Sequence, residues 1–399
     1  MKLEINVTEI EENVIKCRRC LHMIPEIGLT LPKTAKYIRD QLTLLDIEFE
    51  ELSGISAIIG TIKGNGYGPT VAVRADMDAL PIEEETGLEF ASKNGSMHAC
   101  GHDGHMSILL SVAKVLVENK EKFNGTVKLI FQPGEEGYGG AKKMIDQGVI
   151  KRHDIDFIIS QHIGSIFDDL KNGEIAVGYD VIMSCLDKFS LTIKGKGAHG
   201  AQPHKAIDPI TISSQVIQGI QSIVSREIDT TENAVISIGK IQGGIAHNII
   251  PSKVEMEGTV RTTNEDIRKY ISKRMEEVAK GITFGMNASY EYEYTFGYPM
   301  VRNNNFMVDK FIKAVEDILP KEKVKILNKP TMIGEDISYF LNEIPGVYFF
   351  LGSKKQVEDV YYSHHSCKFD IDEGTLYKGV LAIVQFILNI MRDEYESYN

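Results

Sequence analysis

The chain has no run of apolar residues approaching the ~18 that a membrane-spanning helix needs, no Lys/Arg-rich tract, no internal repeat and no low-complexity segment. Each absence removes a class of protein. Without a basic stripe, and with a formal net charge of -12, nucleic acid and anionic membrane surfaces are poor partners. Cysteine is sparse and odd in number, with Cys17, Cys20, Cys100, Cys185 and Cys367 in 399 residues. That argues against a disulfide framework and fits a reducing compartment. The start, Met1-Lys2-Leu3-Glu4-Ile5-Asn6, lacks the basic opening and long apolar run of a signal peptide, so the expected location is the cytoplasm. The tail from Arg392 to Asn399 reads as a frayed, solvated end.

What is present is the composition of a globular protein, 43% hydrophobic and 25% charged. A length of 399 residues exceeds the ~250–300 at which one core stops growing, so two domains are expected. Apolar runs at Thr70–Ala75, Thr126–Phe131, Phe157–Ser160 and Val347–Gly352 read as buried strands, separated by helices such as 104–119. This βα alternation predicts an α/β fold with a largely parallel sheet flanked by helices, and ligands gather beyond the carboxyl ends of such strands. The middle of the chain differs. A strand at Lys188–Lys194, a helix over 208–228, strands at Ala234–Ile241 and Lys253–Arg261, a helix at Asn264–Ala279 and a strand at Ser289–Thr295 give the ferredoxin-like order β-α-β-β-α-β. The expected organisation is therefore a metal-binding catalytic domain over 1–183 plus 299–399, with an inserted α+β domain at 184–298.

The segment Met97-His98-Ala99-Cys100-Gly101-His102-Asp103-Gly104-His105 packs a thiol and three imidazoles into a strand-to-helix junction, a donor density that suits a transition-metal site. Four other clusters fall just after expected strands: Arg74–Asp78, Gln132–Gly137, Gln161–Gly164 and Tyr362–Ser366. Singly, each reads as a turn, a helix cap, a core histidine or a solvated pair. Together, at one edge of one sheet, they read as a shared metal site. Two divalent ions ~3.5–4 Å apart acidify a bridging water and polarise a carbonyl oxygen. Of the adjacent Glu135 and Glu136, one can ligate while its neighbour stays available as a general base. The Cys17-x-x-Cys20 spacing carries a different reading. Ile10, Val14, Cys17, Leu21 and Ile24 recur at helical intervals, so these cysteines are expected to be small apolar groups on a buried helix face.

The ordered motifs RRCLHMIPEIG (18–28), RADMDALP (74–81), MHACGHDGH (97–105), QPGEEGYGGA (132–141), QHIG (161–164), GKGAHGAQPH (195–204), AHNIIP (246–251), GTVRT (258–262), GEDISYF (334–340) and HHSCKFDIDE (364–373) span essentially the whole chain. In them the chain resembles the aminoacylase, hippurate hydrolase and indoleacetic acid–amino acid hydrolase group, a branch of the dinuclear metallopeptidase clan that includes carboxypeptidase G. The resemblance implies metal-dependent hydrolysis of the amide bond of an N-acyl amino acid, a small-molecule substrate. Cys100, His102, Glu136, His162 and His365 would ligate two divalent ions, with the Cys100 thiolate where relatives have a bridging aspartate. Glu135 would be the general base and acid. The inserted domain would be a lid and dimerisation surface of a homodimer or higher homo-oligomer. On it His199 would stabilise the oxyanion, in cis or in trans, and Asn248 and Arg261 would hold substrate polar groups or the free carboxylate.

Mn²⁺ is the first expectation for the metal, and Zn²⁺, Co²⁺ or Ni²⁺ would suit the same donors. Asp78 resembles the clan's orienting aspartate and stays outside the ligand set, Asp76 standing where other branches have a histidine. Cys367 replaces the proline common after the last His-Ser and is expected to pack as a small apolar group. His98 and His105 are expected at the helix start and behind the ligands. The alternative activities are an N-acetyldiaminopimelate deacetylase and a dipeptidase or carboxypeptidase. A metal-binding relic without catalysis is the non-enzyme alternative, and an unligated Glu135 beside a ligand speaks against it.

Overall fold

The computed structural model describes residues 6–357 and 360–392, so the expected frayed tail lies outside it from Asp393 onward, as do Met1–Ile5. The chain divides into two compact units, one of Met1–Asp180, Arg302–Lys329 and Asp336–Asn399, the other of Val181–Val301 and Pro330–Glu335.

In the first unit an eight-stranded sheet runs in the order Glu48–Glu51, Ile58–Lys63, Thr126–Gln132, Thr70–Asp76, Phe157–Gly164, Gly346–Gly352, Ile175–Val177, Val324–Ile326. Its four central strands are mutually parallel. Every residue of Phe157–Gly164 and of Gly346–Gly352 is buried, which is why Phe157–Ile159 and Gly346–Gly352 read as apolar runs without polar alternation. Antiparallel strands close the edge at Glu48–Lys63. Helices Val7–His22, His102–Glu118, Asn305–Glu316 and Leu376–Arg392 pack on one another and contribute to the core.

Two expectations shift. Gln161–Gly164 does not follow its strand but ends it, paired with Phe349–Gly352. On the other side the ladder to Thr70–Asp76 stops at Arg74 and Ser160. The C-terminal stretch Glu373–Met391, broken by Lys378, Gln385 and Asn389, is still long and apolar enough to cross a membrane by length and composition. With 67% of it buried against the neighbouring helices, it is a core helix.

The second unit is a four-stranded antiparallel sheet in the order Ala234–Gly243, Lys253–Thr262, Leu186–Lys194, Ser289–Tyr298, with helices Pro209–Ser222 and Glu265–Gly285. In chain order this is the split β-α-β-β-α-β arrangement. Phe189, Leu191, Ile193, Val254, Met256 and Val260 alternate onto the face that meets Ile212, Val216, Ile220, Ile271, Met275 and Ala279.

Candidate metal centre

Parallel pairing brings the carboxyl ends of the central strands into line, with Asp76 opposite Gln132 and His162 opposite Phe350. Loops leaving that edge supply the rest of the site. The metal-type helix begins at His102 behind Gly101, whose φ of 84° turns the chain sharply out of the Cys100 loop. A side chain at Gly101 would strain that turn.

Asp78 organises the site. Its Oδ1 accepts the Glu135 N–H at 2.9 Å and its Oδ2 accepts the Glu136 N–H at 3.0 Å. Its carbonyl oxygen lies 2.8 Å from His102 Nδ1 and accepts that ring proton. A single residue thus places both glutamates of the loop and sets the tautomer of a neighbouring imidazole. His162 is fixed likewise, with Nδ1 2.8 Å from the Ile163 carbonyl oxygen. In both rings the Nε2 lone pair is left to face inward.

Three donor groups are built wholly from these expected residues, each with ligand atoms within 4.8 Å of one another: Cys100, His102 and His162; Cys100, Glu136 and His365; His102, Glu135 and Glu136; Asp76, His102 and His105 meet the same criterion. Cys100 Sγ lies 3.5 Å from His162 Nε2, and His365 Nε2 lies 3.3 Å from Glu136 Oε1. All six first-unit residues expected at the site are therefore brought together. His365 reaches it from a backbone at φ 66°, held by its N–H to the Ala99 carbonyl at 2.9 Å.

The donor chemistry fits a pair of divalent cations. Among the described residues, buried His102 Nε2 has no hydrogen-bond partner, an unfavourable state for a polar atom unless something else satisfies it. Burial, with Glu136, Glu135 and Asp76 close by, pushes the Cys100 thiol well above its usual pKa. Burial disfavours a charged His102, yet Asp76, Asp78 and Glu136 raise it from 6.5 to about 10. His162 is held well below its ordinary value by burial and by His105 and His364. Crowded carboxylates draw a proton onto one imidazole and oppose a second charge on the thiol. Cations there would take the proton's place and let Cys100 ionise.

For several supporting groups the sequence did not specify the partners. Asp76, in the place of a histidine ligand, binds Arg74 Nη1 at 2.9 Å and His105 Nδ1 at 2.5 Å. Arg74 continues to Asp336 at 2.8 Å and Gln132 at 2.9 Å, all buried beneath the site. His364 is half-buried, with its ring 5.0 Å from that of His162, and its Nε2 accepts the Ser165 N–H. Adjacent histidines in HHS were a signal, but which of them turns inward depends on the left-handed backbone at His365. His98 precedes the helix, and burial pushes its pKa down to about 3, leaving a neutral ring. Cys17 packs in the core as expected, Cys367 is half-buried and in none of the donor groups, and all five cysteines are free.

The remaining expected residues lie in the second unit. His199 is exposed on the short strand Ala198–His199, paired with Ile249–Ile250, and its Nδ1 accepts the Ala201 N–H at 3.1 Å. The Asn248 carbonyl accepts the Gly200 N–H at 2.8 Å, which keeps these two loops together. Arg261 is half-buried on its strand, with Nη1 donating to the Met332 carbonyl at 3.2 Å.

Residues 72–389 match Peptidase family M20/M25/M40. The chain belongs to this family. It is 41% identical over 386 residues to thermostable carboxypeptidase 2 of Saccharolobus solfataricus, covering 96% of each chain. It is 42% identical over 301 residues to an N-acyl-L-amino acid amidohydrolase of Geobacillus stearothermophilus, covering 74% of this chain and 80% of that one. A dinuclear metal binding peptidase of the M20 family from Bacillus subtilis superposes with a TM-score of 0.82 at 32% identity, over 96% of this chain and 99% of the other. Membership of the M20 family agrees with the expected recognition, the α/β architecture and an amide-hydrolysing enzyme.

Proposed function

We propose that this M20 enzyme hydrolyses the amide bond of N-acyl amino acids with two divalent ions, held by Cys100, His102 and His162 on one side and by Cys100, Glu136 and His365 on the other. The observation that carries this reading is the sharing of Cys100 Sγ by two donor groups, each within 4.8 Å. One thiolate common to both is the arrangement a bridged pair of ions needs. Bound ions would supply Lewis acidity toward the carbonyl and lower the pKa of a water between them. Glu135, buried beside Glu136 and held by Asp78 through its backbone rather than its carboxylate, takes the proton from the water and hands it to the leaving nitrogen. His199, Asn248 and Arg261 are the groups we assign to the oxyanion and to the polar and carboxylate groups of the substrate, a planar guanidinium being suited to a carboxylate. The second unit would serve as lid and dimerisation surface, and the free cysteines support a cytoplasmic location.

Carboxypeptidase and N-acyl amino acid amidohydrolase activities share one feature: each cleaves an amide whose nitrogen belongs to an amino acid with a free carboxylate. That common group defines the substrate class. Mn²⁺ is our first choice of metal, with Zn²⁺, Co²⁺ and Ni²⁺ compatible with the thiolate and imidazoles. Hippurate, N-acetyl amino acids, N-acetyldiaminopimelate and a dipeptide, assayed with chelator and with added Mn²⁺, test the reading. Chelator abolishes turnover and Mn²⁺ restores it. Glu135→Gln keeps the bound metal and loses roughly 10²–10⁴-fold in kcat, the scale of a lost general base. Turnover indifferent to chelator, or a Glu135→Gln variant near the wild-type rate, overturns the proposal.

A further inference from the structure

His105 takes no part in the donor groups that share Cys100, yet both of its ring nitrogens are engaged and it is buried. Beyond Ser160 the strand Phe157–Gly164 has no pairing with Thr70–Asp76, so the peptide of Ile163 has no strand neighbour on that side. Side chains fill the gap. The Ile163 N–H donates to His105 Nε2 at 3.1 Å, and the Ile163 carbonyl receives the Nδ1 proton of His162 at 2.8 Å. We propose that His105 is a positioning residue, which through the Ile163 peptide holds the His162 ring with Nε2 toward Cys100.

Proton counting sets the direction of every bond in this chain. A ring nitrogen that accepts a backbone N–H carries no proton, so His105 bears its single proton on Nδ1. That proton is donated to Asp76 Oδ1 at 2.5 Å, and Asp76 is anchored by Arg74 Nη1 at 2.9 Å. The order runs from His162 to the Ile163 carbonyl, from the Ile163 N–H to His105, and from His105 to Asp76. The ring of His105 also stands edge-on to His162, with centroids 4.9 Å apart at 78°. An apolar side chain of similar size would fill the volume but leave the Ile163 N–H buried and unpaired, and a peptide in that state turns to find another partner. His162 would then lose the carbonyl that selects its tautomer. Outer partners of this kind govern ligand orientation at metal sites generally.

The proposal rests on His162 being a ligand, and the test separates the two claims. In metal-free wild-type protein, two-bond ¹⁵N–¹H correlations of the histidine rings show protonated Nδ1 and bare Nε2 for both His105 and His162. The opposite tautomer at His105 refutes the proposal without any variant. His105→Phe keeps a ring but no hydrogen bonds, whereas His105→Gln offers an amide that can accept from Ile163 and donate to Asp76. In His105→Phe the His162 signal becomes a mixture of tautomers. Titration with Co²⁺, followed by calorimetry and by the thiolate-to-cobalt band, shows one of two equivalents weakened by about 10–100-fold, the usual effect of losing such a partner. His105→Gln restores both readouts. A folded His105→Phe protein with an unchanged His162 tautomer and two wild-type Co²⁺ affinities overturns the proposal, as does equal weakening of both equivalents that Gln fails to rescue. If wild-type protein shows the expected tautomers but binds fewer than two Co²⁺, the positioning stands and the ligand reading fails.

Discussion

His22, the last residue of helix Val7–His22, offers a measurement of how strongly the buried charges behind the metal centre hold the first unit together. Its ring is 1% exposed, with Nδ1 2.7 Å from Asp103 Oδ2 and Nε2 3.0 Å from Glu84 Oε1. Burial disfavours charge on the ring, but a carboxylate at each nitrogen raises its pKa from 6.5 to about 9. A folded-state pKa above the unfolded one means that the charged ring stabilises fully below about pH 6.5, and that this contribution is lost as pH rises through about 9. The difference of about 2.5 units, at 1.36 kcal/mol per unit, corresponds to about 3 kcal/mol. His22→Gln keeps a polar side chain and removes the titration. Urea unfolding of metal-free wild type and variant at pH 6 and pH 9.5 isolates this effect, since titrating groups that do not interact with His22 cancel in the difference. Wild type should lose about 3 kcal/mol more than His22→Gln over that interval. Parallel losses in the two proteins would mean that the Asp103–His22–Glu84 bridge does not hold a proton, and the reasoning would be wrong.

Arg18 shares the same network, its fully buried guanidinium reaching Asp103 at 2.8 Å, Asp370 at 2.9 Å and Glu373 at 3.1 Å. Arg18→Met strands those carboxylates, and thermal unfolding should show a loss of about 3–5 kcal/mol, the cost of breaking a buried pair from one side. Asp78→Asn replaces a carboxylate that accepts two N–H groups by an amide with a single acceptor oxygen, which leaves one glutamate N–H unpaired. About 1–3 kcal/mol of local order at the Glu135–Glu136 loop should go with it. Steady-state kinetics of Asp78→Asn should show lower kcat at nearly unchanged Tm, and wild-type kcat would deny Asp78 its role in placing the glutamates.

The sheet and the position of the site follow from patterns that repeat along the chain. Continuous apolar runs alternating with helical periods imply parallel strands, parallel strands align their carboxyl ends, and Asp76, Gln132 and His162 stand at those ends. The candidate donors were legible in the same way, because thiol, imidazole and carboxylate clusters recur near the strand exits. Bond direction was not. The Asp78 carboxylate meets N–H groups 57 and 58 positions away, and the Ile163 N–H meets a ring 58 positions away. Nothing local distinguishes those partners from others of the same type. His102 and His105 make the point most sharply: three residues apart in one helix, they share a face and stack with centroids 5.3 Å apart. One has its Nδ1 taken by a backbone carbonyl and its Nε2 left bare toward the donors. The other has Asp76 at Nδ1 and a peptide N–H at Nε2, so it has no lone pair left to give. On the proposed reading, identical side chains on one helical face would be a ligand and a support for a ligand, the difference lying in which distant backbone groups each ring meets.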